Sequence, residues 1–250
     1  MSEDGGELIV NNEKEAGFFS SLGRLFFEPS KSFPVFVEKK SWVWFPIVLI
    51  SLLTFFSTYT FFERVDRESF ITNQLNKSKF TSNMSQEQID KAINDFKETK
   101  GAIRGLIAIP FYLVWLILAS LVYYLCFMLL GGNINFLNTL IVVFWAEVVI
   151  SLKQLISIFI MLIKKGEDLV SPESIVLSSV GSLIGSEKLS PALFSLLSSI
   201  DIFAIWNLVL LTIGLSLISR LSIKYSAFLV FTLYILKVAI QCAFVFFTVQ

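Results

Sequence analysis

The chain has no histidine among its 250 residues, and that absence removes more chemistry than any other feature of its composition. Without imidazole there is no Ser-His-Asp or Cys-His arrangement, no HExxH zinc site and no haem or copper site that depends on His. Charged residues are also scarce, at 16%, and 20 Lys and Arg against 20 Asp and Glu leave no basic excess to neutralise a phosphate backbone. Nucleic acid is therefore not an expected partner. The two cysteines, Cys126 and Cys242, sit inside apolar runs and read as small hydrophobes rather than metal ligands. No catalytic pair, cofactor motif or metal site emerges. The acids Glu3, Asp4, Glu7, Glu13 and Glu15 at the start are the opposite of a basic secretory leader.

What is abundant is apolar: 55% of residues are hydrophobic and 26 are Phe, a composition suited to lipid. About 20 mostly apolar residues cross the hydrocarbon layer, and five stretches qualify, near 42–62, 106–130, 136–163, 196–219 and 225–249. The expected fold is all-α, a multi-pass transmembrane bundle of five spans with amphipathic interfacial helices. Residues 1–41 form a tail with a surface helix, 42–249 the membrane domain, and 63–105 a helical extramembrane insert.

Punctuation sets the connections. Gly131, Gly132 and Asn133 make a tight turn between spans two and three, and Arg220 and Lys224 mark another between spans four and five. In the insert, Ser85 and Gln88 form a capping-box pattern ahead of Ile89, Ile93 and Phe96, with a bend or break near Gly101 and Gly105. Ser171-Pro172 predicts the start of a short helix through Ile175, Val176, Val180 and Leu183. Ser190-Pro191 predicts the start of a fourth helix about 43 Å long. Pro110 is expected to kink span two near its start. Phe18, Phe19, Leu22, Leu25 and Phe26 share one face of a helix that either lies flat on the membrane or packs against the bundle.

Four ionisable residues fall inside spans, where each costs about 2.5–3.5 kcal/mol: Glu147, Lys153, Asp201 and Lys237. Counting residues from the span ends places Glu147 level with Lys237, and Lys153 level with Asp201. Two ion pairs hidden between helices three, four and five follow as the expectation, supported by Ser151, Gln154, Tyr234 and Gln241 on the same faces and by Thr212 and Ser219 in line with Asp201. These polar stripes, with Gln154 and Gln241 among them, either hold the bundle together or line a polar cavity. Adjacent Glu167 and Asp168 read as solvated loop acids.

The Pro29 and Phe33 segment before span one, the helical insert 85–100, and the run Asp201-Ile202-Phe203-Ala204-Ile205-Trp206 with the later Gly214 together resemble the Ypt-interacting protein (Yip) domain family of five-span membrane proteins, in its bacterial-type branch. The resemblance implies five helices and a cytoplasmic N-terminus. The chain lacks the family's long cytosolic N-terminal domain and its Asp-Leu-Tyr-Gly-Pro segment, so Rab binding is not carried over. The positive-inside rule leans against the family orientation, since seven Lys and Arg fall on the N-terminal side and eleven on the other.

The resulting functional expectation is a non-enzymatic, Yip-like membrane-organising or scaffold protein of trafficking type, acting through protein or lipid partners. Those partners are membrane lipids and other membrane proteins or a second copy. The alternative is an accessory permease subunit or a small ion or proton transporter using Glu147 and Lys237. The bacterial cytoplasmic membrane is the expected location, with the endoplasmic reticulum or Golgi membrane as the alternative.

Overall fold

A computed structural model describes residues 17–166, 169 and 171–249. The acidic N-terminal residues, Lys14, Glu167 and Asp168 lie outside the described residues. Helix dominates. Among the described residues the only β pairings are two isolated bridges, Ser78 with Val249 and Ser179 with Asp201. Five helical stretches are long and apolar enough to cross a membrane: Lys40–Arg64, Gly101–Leu129, Phe136–Ile163, Ile202–Ser219 and Ile223–Thr248.

The elements in chain order are α1 (Phe18–Phe27), α2 (Pro29–Glu38), α3 (Trp44–Arg64), α4 (Arg67–Lys77), α5 (Gln86–Glu98), α6 (Gly101–Leu129), α7 (Phe136–Ala146), α8 (Val148–Ile163), α9 (Val180–Ile184), α10 (Pro191–Ser198), α11 (Ile202–Ser219) and α12 (Ile223–Thr248). They fall into two compact units. Unit 1 takes Met1–Val48, Val114–Val148 and Asn207–Phe231; unit 2 takes Leu49–Leu113, Val149–Trp206 and Thr232–Gln250.

Unit 1 is organised around Trp145, which is fully buried on α7. Phe36 of α2 stacks on it, with ring centroids 3.7 Å apart and planes 2° from parallel. Phe18 of α1 meets Trp42 and Phe45 edge-on. Pro29 fits the first turn of α2, where a missing N–H costs nothing, and the Ser32 hydroxyl donates to Ser21 O at 2.9 Å, tying α2 to α1. Of the two readings of the first helix, the packed one holds for its inner face, because Leu25 is buried, while Phe19 and Phe27 stay exposed.

Gly214 on α11 marks the closest approach in this unit. A Cβ there would sit 2.5 Å from Val142 Cγ1 and 3.1 Å from the Phe33 ring. Gly214→Ala should therefore destabilise by about 1–3 kcal/mol, the usual cost of overpacking, measured as a lower melting temperature in detergent. An unchanged melting temperature would show that Val142 and Phe33 yield freely. The turn after α6 needs Gly131, whose φ is +82°, and Asn133 N–H donates to Ser219 O at 2.9 Å, fastening that turn to the end of α11.

Unit 2 holds the insert. Asp66 caps α4; the Ser69 hydroxyl, 2.6 Å away, holds its carboxyl below the ordinary carboxylate range. The Ser85–Gln88 capping box starts α5. Phe70 stacks with Phe96, the Arg104 guanidinium lies 3.9 Å from the Phe96 ring centre, and Lys97 pairs with Glu68 at 2.7 Å. Arg64 donates to the carbonyls of Leu162 and Lys164, closing the end of α8.

The structure refines the local expectations. The break expected near Gly101 falls at Thr99, which is extended, just before α6, and Gly105 and Pro110 both lie inside that helix; Gly105 serves close packing, since a Cβ would meet the Phe55 ring at 2.8 Å. Ser171-Pro172 opens only a short 3₁₀ turn, Pro172–Ser174, and the Ser171 hydroxyl bonds to the Ser174 hydroxyl instead of a backbone N–H; the short α-helix is α9, capped by Ser179. The predicted 29-residue fourth helix, and the span bounds 196–219, give way to α10 and α11 separated at 199–201. Span three keeps its expected bounds, Phe136–Ile163, with a one-residue turn at Glu147 between α7 and α8, φ −68° and ψ −14°.

Candidate functional site

Asp201 stands at the head of α11 and is only 3% exposed. It is an N-cap: Oδ1 accepts the N–H groups of Phe203 at 2.9 Å and Ala204 at 3.2 Å. Its other oxygen accepts from Lys153 Nζ, 2.8 Å away on α8, and from the Ser178 hydroxyl. The backbone on either side of it is paired, with Val180 N–H on Ile200 O and Ile202 N–H on Ser178 O, both at 3.1 Å. One carboxylate thus joins α8, the segment before α9 and the start of span four, with four donors on its two oxygens. A desolvated acid needs this kind of compensation, because an unpaired one would carry the full burial penalty.

The counting that set Lys153 level with Asp201 does not hold, since Asp201 is not ten residues into a helix but immediately ahead of one. The two side chains meet all the same. Ser178 and the cap interactions were not foreseen. Asp before an apolar run is a common N-cap, and that was the available signal.

Beside Lys153 lies a cavity of about 240 Å³, lined by Ser57, Thr58, Gln154 and Ser157 on its polar side and by Phe61 and Met161 on its apolar side. Gln154 Oε1 is buried with no hydrogen-bond donor among the described residues. Tyr234 and Gln241 of α12 serve a different contact: the Tyr234 hydroxyl donates to Ser199 O at 2.6 Å, and Gln241 Nε2 to the Ser195 hydroxyl at 3.2 Å. Both bonds tie α12 to α10 and the break after it.

Glu147 belongs to unit 1 and Lys237 to unit 2, and each has neighbours within its own unit. Glu147 is half-buried and accepts from Asn207 Nδ2 at 3.3 Å, a partner not foreseen from the sequence although Asn207 directly follows the Asp201–Trp206 run. Lys237 is exposed, a correction to its expected concealment between helices. Its Nζ lies 5.6 Å from the centre of the Tyr234 ring, and unit 2 offers it no carboxylate among the described residues.

Residues 23–245 match the family model for the Yip1 domain. The chain belongs to the Yip1 domain family. It is also similar to the membrane protein YknW of Bacillus subtilis (strain 168), with 29% identity over 211 residues, covering 82% of this chain and 83% of that protein. No solved structure matches the chain. This Yip1-domain chain is an all-α membrane protein with five apolar helices, and the Asp-Ile-Phe-Ala-Ile-Trp run that carried the resemblance begins at the capping carboxylate itself. Asp201 opens span four, and the following Phe203 and Ala204 supply the N–H groups it holds.

Proposed function

We propose that this Yip1-domain chain is a non-enzymatic membrane-organising scaffold of the bacterial cytoplasmic membrane, acting through protein or lipid partners. The observation that carries the reading is the saturation of Asp201. A carboxylate that relays ions or protons needs open coordination, whereas this one is taken up by Lys153, Ser178 and two backbone N–H groups. The charges at this point brace the chain. The similarity to a Bacillus membrane protein supports the bacterial setting.

The test is flux. Purified protein reconstituted into phosphatidylcholine vesicles loaded with a pH-sensitive dye should dissipate an imposed proton or potassium gradient no faster than empty vesicles do. Wild type and Glu147→Gln should be indistinguishable. Flux that disappears in Glu147→Gln, with the protein still folded, would replace the scaffold with a transport pathway. Mild-detergent purification should in turn recover a membrane protein in fixed ratio with the chain.

A further inference from the structure

Span five, α12, is the least sheltered of the five, with 11% of its most apolar window buried against 39% for span four. Lipid exposure suits its Leu236, Ile240, Phe244 and Phe247, which are all exposed. It does not suit Lys237, which is exposed beside them. At 100° per residue, Lys237 lies about 20° from Phe244 and about 60° from Ile240 around the helix axis, so it sits on the same outward face.

Its depth makes that position costly. The 26 residues of Ile223–Thr248 extend about 39 Å, and Lys237 lies about 2 Å from the helix midpoint. Either interface is then ~15 Å away, beyond the reach of a lysine stem, so snorkelling does not relieve the charge. Facing hydrocarbon alone, this side chain would carry the full insertion cost.

We propose that this face docks a transmembrane helix of a different membrane protein, one that carries a carboxylate near the bilayer midplane. Charge complementarity sets the partner's chemistry: Lys237 supplies the cation, and Leu236, Ile240 and Phe244 supply the apolar surface around it. A second copy of the chain does not meet the requirement. Residues 223–248 contain no Asp or Glu, so two facing copies of α12 would oppose lysine to lysine. Asp201 is buried and saturated, and Glu147 is half-buried and bonded to Asn207, so neither presents a free acid to a neighbour. The inference rests on the scaffold reading and names the chemistry of one partner.

The experiment uses the full chain, labelled with a donor fluorophore at its N-terminus, in phosphatidylcholine vesicles. The probes are acceptor-labelled 24-residue Leu-Ala transmembrane peptides with a single central Asp, Leu or Lys. Wild type should associate with the Asp peptide about tenfold more tightly than with the Leu peptide, the scale of one intramembrane polar contact. Lys237→Met should abolish that preference, Lys237→Arg should keep it, and Lys237→Glu should transfer it to the Lys peptide. Equal association of wild type with all three peptides, or an unchanged preference in Lys237→Met, would overturn the proposal. So would energy transfer between copies of the chain that vanishes in Lys237→Met, since it would assign the face to self-association. Lys237→Met should melt at the wild-type temperature; if it does not, the Arg and Glu variants still decide, because both keep a charge and differ in its sign. Peptide binding and ion flux are independent readouts, so a leaking protein that still selects the Asp peptide would overturn the scaffold and leave the docking face standing.

Discussion

Lys153→Met and Asp201→Asn should each lower the stability of the protein by about 3 kcal/mol, near the low end for stranding one member of a buried pair. The double variant should recover at least half of that loss. The asymmetry comes from what each change leaves behind. Asn at 201 still accepts the Phe203 and Ala204 N–H groups through its carbonyl oxygen, so the cap survives, while the Lys153 ammonium is stranded and the Ser178 hydroxyl loses its acceptor. Met at 153 leaves a carboxylate with Ser178 and the two N–H groups but without its counter-charge. Asp201→Ala should be worst, because it also removes the cap, worth about 1 kcal/mol. Melting in detergent and steady-state abundance in the membrane measure all four, and the cycle isolates the coupling. If the losses simply add in the double variant, the pair is not the brace described here.

Trp145→Ala should cost about 3–5 kcal/mol, with Phe36→Ala close behind. Both side chains are fully buried and lie plane to plane. Inside a bilayer the transfer of apolar surface from water contributes little to helix association, so the loss is chiefly one of dispersion contacts and of the space left behind. The stacked geometry adds a coupling of about 0.5–1.5 kcal/mol beyond burial, so Trp145→Ala with Phe36→Ala should cost less than the sum of the two. Protease sensitivity of α1 and α2 reports the same event, since α2 is held to unit 1 through this contact. A Trp145→Ala protein that melts normally and resists cleavage would remove the stack from the account.

The spans themselves were readable because hydropathy over about 20 residues is a strong, additive signal. The turns were readable because Gly131 and the Ser85–Gln88 pattern act locally. The interruptions were not. Ser199, Ile200 and Asp201 sit between two apolar runs, so the window average carries straight across them. The backbone pairing there depends on Ser178 and Val180, about 20 residues earlier, and local periodicity carries no record of so distant a partner. Glu147 was legible as an anomaly of composition; its place at a one-residue turn between α7 and α8 was not. Lys237 was assigned to the interior because a buried charge seeks a partner within its own chain. Its exposure points that requirement outward.

The link between α10 and α11 also has a bearing on how the protein is made. Its backbone groups cannot be left bare at membrane depth, and the strand-like partner that satisfies them, Ser178 to Val180, leaves the ribosome first. Span four therefore emerges to find its docking edge already synthesised, and the order of translation matches the order in which these groups can be satisfied.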